Sequence, residues 1–135
     1  MNKIGLFLII SCGLWACQTK DEVKFDQYVA EGYSLYGINC ANCHQENGLG
    51  LAGLYPPIAK EYLKDKAALA CMMRNGMAGK MVVEGKVYNR VMPGNLTLKD
   101  LEIAEIATYL GSRWNNERTI TTTDSVKSAL LRCAN

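Results

Sequence analysis

Cys40-Ala41-Asn42-Cys43-His44 decides the fold. A Cys-x-x-Cys-His run is the attachment sequence of a c-type haem: two thiols add to the porphyrin vinyl groups and the adjacent histidine reaches the iron. Two intervening residues let both sulfurs face one porphyrin edge. A thioredoxin-type dithiol belongs in a βαβ setting, and no such pattern surrounds these residues. A zinc site needs a second ligand pair, whereas Cys71 and Cys133 stand alone and His44 is the single histidine of the chain. One histidine also means one haem, with at most one histidine ligand.

At 135 residues the chain is one small domain, able to bury about two-thirds of its unfolded surface. A buried haem is then a large share of the core. Hydrophobic residues make up 49% and charged residues 21%, an ordinary globular balance, and the net charge of +2 lacks the basic footprint of a nucleic-acid binder.

Outward toward the N-terminus, Met1-Asn2-Lys3 carries one positive charge, and an apolar run from Ile4 to Trp15 leads into Leu14-Trp15-Ala16-Cys17 and then the polar Gln18 to Glu22. The run is too short to cross a hydrocarbon core of about 30 Å as a helix, so it reads as a secretory signal. Its last four residues resemble a bacterial lipoprotein signal, with a small residue before the cysteine that becomes lipidated. Trp15 is unusual in such a box. Ile9-Ile10-Ser11-Cys12 offers a second box, but cleavage there leaves a very short apolar region. The expected organisation is a signal peptide over 1–16, a tether over 17–25 lipidated at Cys17, and a domain over 26–135 with a short extension after about 115. An ordinary signal with an incidental Cys17 is the alternative. Lipidation places the protein on the periplasmic side of a bacterial membrane, outer or inner left open, held by acyl chains.

Tyr28, Val29, Gly32, Tyr33 and Tyr36 recur at helical spacing and predict a helix from about Asp26 to Gly37. Glycine inside a helix costs about 1 kcal/mol relative to alanine, so Gly32 implies close approach of another helix. After His44, Gly48, Gly50 and Gly53 followed by Tyr55-Pro56-Pro57-Ile58 predict a loop stiffened at its end. Asp65 caps a helix over Lys66 to Asn75, stopped by Gly76. Val82 to Tyr88 around Gly85 is a small hairpin or extended loop. Thr97-Leu98-Lys99-Asp100 is a capping-box-like start to a helix carrying Leu101, Ala104, Ile106, Ala107, Tyr109 and Leu110, with Gly111 near its end. A last short helix runs from Thr123 or Asp124 to Cys133. Export favours a Cys71–Cys133 disulfide; Cys71 as a buried small hydrophobe with Cys133 free fits equally.

Electron-transfer haem needs a ligand facing away from His44, and without a second histidine a methionine is the natural choice. Met72, Met73, Met77, Met81 and Met92 are the candidates. Met72 and Met73, on a helix, read as core filler. Met92 lies in the loop Val91-Met92-Pro93-Gly94, directly before the terminal helix, where a chain can present a thioether across the ring.

Residues 26 to 114 resemble the small class I cytochromes c. The resemblance rests on Gly32 and Tyr36 ahead of the Cys-x-x-Cys-His motif, on Tyr55-Pro56-Pro57-Ile58, on Tyr88 through Met92-Pro93, and on a terminal helix with Ile106 and Tyr109. It implies an all-α fold, three to five short helices wrapped around one haem c bound covalently through Cys40 and Cys43. It implies that Gly32 and Tyr36 cross the last helix and that the Pro56 carbonyl accepts the Nδ1 proton of His44. Met92 becomes the second iron ligand, since the family's methionine stands seventeen residues before the last-helix tyrosine, as Met92 stands before Tyr109. Gly76 to Pro93 is similar to the bacterial branch that accompanies respiratory oxidases and nitrite or nitrous-oxide chemistry.

The function so implied is single-electron transfer between periplasmic or membrane-bound redox partners that dock transiently at the haem edge, by a monomer that is not an enzyme. Arg74, Lys80, Lys86 and Arg90 are candidates to ring that edge, and Tyr55, Tyr88 and Trp114 to meet a propionate or simply to pack. Two other readings stand beside it: a five-coordinate gas sensor or peroxidase-like enzyme, and a fixed subunit of an oxidase or reductase.

Overall fold

A computed structural model describes residues 19–133. The first helix, α1 (Lys20–Asn39), starts at a capping box: Thr19 Oγ1 accepts from the Glu22 amide at 3.2 Å and the Glu22 carboxylate accepts from the Thr19 amide at 2.9 Å. Asp21 and Glu22 add negative charge at the positive end of the helix dipole. The helix thus starts earlier than the expected Asp26. Lys20 to Lys24, expected as part of a tether, belongs to the helix. Phe25 is buried, with the Arg118 guanidinium 5.0 Å over its ring. The helix also continues past Gly37, which has open space around it, and turns only at Cys40.

A single turn, α2 (Ala41–His44), carries the motif. A glycine-rich loop leads to another single turn, α3 (Lys60–Leu63), and to α4 (Lys66–Asn75), capped by Asp65 Oδ1, which accepts from the Ala67 and Ala68 amides at 3.0 Å each. Gly76 ends α4 with φ 78°, as read from the sequence. Four short strands follow: β1 (Gly76–Met77), β2 (Met81–Val83), β3 (Lys86–Tyr88) and β4 (Met92–Pro93). β2 and β3 form a hairpin whose turn residues, Glu84 and Gly85, both have positive φ; β1 pairs antiparallel with β4.

The long helix α5 (Asp100–Asn115) is capped two residues later than Thr97 implies. The Lys99 amide donates to Glu102 at 2.7 Å, while Thr97 bonds to Asn95 instead. Gly111 lies near the end of this helix, where its carbonyl accepts from the Asn116 amide; a Cβ there would press on Glu117 and Lys66, which pair at 2.7 Å. The last helix is α6 (Thr123–Leu130), capped by Thr122. Among the described residues, four helices thus reach eight residues or more.

The core forms where α1 crosses α5. A Cβ at Gly32 would land on the Glu105 carbonyl and the Tyr109 side chain, so only glycine lets the two backbones approach. One turn on, Tyr36 packs against Tyr109 at 5.6 Å and Trp114 at 5.5 Å between ring centroids. Ile103, Ala104, Ile106, Ala107 and Leu110 bury the remaining sides of α5 against α3, α4 and α6.

The C-terminal extension straps onto this core. Buried Thr108 donates to the Ala104 carbonyl at 2.8 Å and accepts from the Thr121 amide at 3.0 Å, and Val126 and Ala129 insert from α6. Cys71 and Cys133 form a disulfide with Cα atoms 5.6 Å apart, so the free-cysteine alternative falls. Closing 62 residues restricts the unfolded chain by about 4 kcal/mol in the chain-entropy account. Replacing both cysteines by serine is therefore expected to lower the guanidinium unfolding midpoint by the equivalent of about 2–4 kcal/mol. A midpoint unchanged by the double substitution would show that the strap is held by packing alone.

Candidate haem site

The motif occupies one helical turn. The His44 and Cys43 amides donate to the Cys40 carbonyl at 2.9 and 3.1 Å, and Gln45 at φ 63° ends the turn. Cys40 and Cys43, three residues apart, share a face, and both are half-buried free thiols. Burial, with Cys43 beside it, pushes the Cys40 thiol up to about 11. That is the reverse of the activated thiolate of a redox dithiol. Buried Tyr36 anchors the turn, donating its hydroxyl to the Gln45 carbonyl at 2.6 Å; burial pushes its own pKa up, so it remains a donor.

The following loop returns a carbonyl to the histidine. Gly50 donates to the His44 carbonyl at 2.9 Å, Leu51 and Tyr55 exchange backbone bonds at 3.0 and 2.8 Å, and the Ile58 amide donates to Gly48 at 2.8 Å. Gly48 itself is covered by the Trp114 indole. The result is a His44 Nδ1 to Pro56 oxygen distance of 3.0 Å. A carbonyl only accepts, so Nδ1 carries the proton and the Nε2 lone pair is left for a metal. Burial pulls the His44 pKa down and outweighs the opposite effect of the Pro56 bond, which keeps the imidazole neutral.

Met92 is placed by β4. Gly76 and Gly94 let its segment pass close to the end of α4, and the Asn95 amide donates to the Met73 carbonyl at 3.0 Å. All five candidate methionines reach one cavity, of about 1130 Å³ with its open mouth, which Cys40, Cys43, His44 and Pro56 also line. Met73 is core filler as well, being buried in the main cluster. The pairing of Met77 directly opposite Met92 is new: such partners point to the same side of a ladder. Only the two-residue bridge, too short to leave a periodic pattern, reveals it.

The remaining wall is mostly apolar, including Ile58, Leu63, Leu69 and Leu110. Of the candidate tyrosines and tryptophan, Tyr55 lines the cavity. Tyr88 is buried with Ala59 and Val83 beside it, and Trp114 belongs to the aromatic cluster. Of the four basic candidates, Arg90 reaches the wall, while Arg74 pairs with Asp100 at 2.9 Å. Cys17 lies outside the described residues.

Two thiols on one turn, a neutral histidine with its free nitrogen oriented, thioethers and apolar walls suit a c-type haem, which when bound supplies a one-electron ferrous/ferric couple. Fold and site together define a small helical c-type cytochrome. The cytochrome c family model matches residues 29–114. Over 97 residues, 67% of this chain, the sequence is 34% identical to cytochrome c-552 of Thermus thermophilus, 73% of which is covered. It is equally similar to the cytochrome c-552 of Thermus thermophilus strain ATCC 27634, 65% of which is covered. The chain belongs to the cytochrome c family, as a class I electron carrier with a single covalent haem c.

Two glycines separate backbone freedom from the Pro56 contact. Both have positive φ, but a Cβ at Gly50 would press on the Tyr55 and Pro56 carbonyls, while Gly53 has open space. Gly53→Ala is expected to cost only the left-handed penalty of about 1–2 kcal/mol, and Gly50→Ala about 1–3 kcal/mol more, by denaturant unfolding. Equal losses would mean that the Pro56 carbonyl moves freely.

Proposed function

We propose that this cytochrome carries single electrons between periplasmic or membrane-bound redox proteins, with haem joined through Cys40 and Cys43 and iron held by His44 and Met92. The observation that carries this reading is the His44–Pro56 hydrogen bond at 3.0 Å, because it holds the proton on Nδ1 and leaves Nε2 for iron in the cavity that Cys40 and Cys43 also line. The chain's own part is to hold that imidazole still and neutral, to exclude water with the apolar wall, and to keep the Met92 strand braced against α4. Electron transfer then needs little rearrangement of protein.

Exposed apolar residues support a docking mouth. Val91 in the cavity wall and Ile38 beside wall residue Asn39 are 61% and 76% exposed. Leu96, 77% exposed, follows Asn95, whose side chain donates to Asn39 at 3.0 Å. A small, transient interface suits such a patch.

Among the described residues no helix is long and apolar enough to cross a membrane. In this reading an acyl chain on Cys17 supplies the attachment to the membrane. Cys17→Ser is expected to move the protein from the membrane to the soluble fraction, and continued retention would refute lipid anchoring.

Met92→Ala tests the ligand set. The sulfur-to-iron band at the red end of the oxidised spectrum should vanish, the potential should fall, and the reduced protein should become able to bind carbon monoxide. An unchanged spectrum would pass the role to a neighbouring methionine, Met77 first. Ready carbon monoxide binding by the unaltered protein would favour gas sensing or peroxidase chemistry instead.

A further inference from the structure

We propose that Arg90 is the counter-ion for the carboxylate edge of the haem, held in place by stacking on Tyr55. The proposal rests on the haem reading above and deepens it.

Haem brings two propionate carboxylates to a cavity whose wall is mostly apolar. A carboxylate drawn away from water is costly unless it is paired, so some part of the wall must answer it. Among the residues lining the cavity, Arg90 is the one lysine, arginine, aspartate or glutamate. Its sign is the required one.

Arg90 is also uncommitted. Arg74 is paired with Asp100 and Lys66 with Glu117, but Arg90 forms no ion pair or hydrogen bond among the described residues. Its guanidinium instead lies 5.4 Å over the Tyr55 ring. Stacking of this kind fixes the plane of the group and leaves its N–H edge free for a bidentate carboxylate contact. Tyr55 in turn precedes Pro56, the acceptor for His44, and Arg90 precedes Met92 by two residues. The cation therefore stands between the two segments that supply the proposed iron ligands. The exposed part of Arg90 places it at the cavity mouth, where the polar edge of a flat amphipathic ring would lie.

A positive charge at that edge offsets carboxylate charge that would otherwise favour ferric iron. Arg90 thus raises the reduction potential as well as orienting the ring.

The test uses the haem-loaded protein and three variants: Arg90→Gln, Arg90→Lys and, as a control of equal charge change, Lys86→Gln on the exposed strand β3. Reduction potentials are measured at low and at high salt. Arg90→Gln is expected to shift the ferric/ferrous equilibrium roughly tenfold toward ferric, about 59 mV for one electron, and to keep most of that shift at high salt. Arg90→Lys should recover only part of it, while the Lys86→Gln shift should be small and screened away. In the unaltered ¹⁵N-labelled protein, the Arg90 Nε–H signal should exchange slowly with solvent only when haem is bound, a readout that needs no variant. Equal, salt-sensitive shifts from Arg90→Gln and Lys86→Gln, or a fast-exchanging Arg90 signal in the haem-loaded protein, would overturn the role of Arg90. Absence of thioether-bound haem from the unaltered protein, read from its pyridine haemochrome spectrum, would overturn the haem reading itself.

Discussion

The bond between His44 Nδ1 and the Pro56 carbonyl links residues twelve apart, and much of the surrounding structure is organised by the need to make it. The imidazole must be neutral, carry its proton on Nδ1 and stay in one plane, or its remaining nitrogen cannot serve a metal. Three devices converge on that requirement. Tyr36 holds the end of the motif turn through Gln45. Gly50 leaves room beneath the Tyr55 and Pro56 carbonyls. Pro56 and Pro57 restrict the backbone that carries the acceptor.

Tyr36 connects this local chemistry to the core. Its ring belongs to the contact of α1 with α5, beside Tyr109 and Trp114, while its hydroxyl reaches the motif turn. Gly32 makes that contact close enough for the aromatics to interlock. The cavity therefore inherits its shape from a crossing of two helices rather than from the loops alone. The C-terminal strap acts from the other side. Through Cys71–Cys133 and α6 it clamps α4, the helix whose end braces both Met77 and Met92.

Charge is distributed sparingly around the cavity. Acidic and basic residues elsewhere meet in partly buried pairs, Lys66 with Glu117 and Arg74 with Asp100. Burial alone would raise the Glu117 carboxyl, but its bonds from Lys66 and Asn115 outweigh that and hold it below its usual value. The wall itself carries Arg90. Its guanidinium lies 5.4 Å over the Tyr55 ring, at the open mouth of a mostly apolar wall.

Much was legible in the residues alone. Cys40, Cys43 and His44 announce their chemistry because thioether attachment needs two thiols and a ligand at one fixed spacing. Gly32, Tyr36 and Tyr109 announce a crossing because glycine in a helix has a cost that close packing explains. Helix α4, the hairpin and Pro56 follow from caps, turns and resemblance. The start of α1 was missed because Thr19 and Glu22 cap a first turn with little apolar periodicity, and local hydrogen bonds, not burial, set that boundary. Which of four cations faces the cavity, whether Cys71 meets Cys133, and that Met77 stands opposite Met92 were decided only by tertiary structure. Each depends on the distance between residues far apart in sequence, and no local pattern of residue types encodes such a distance.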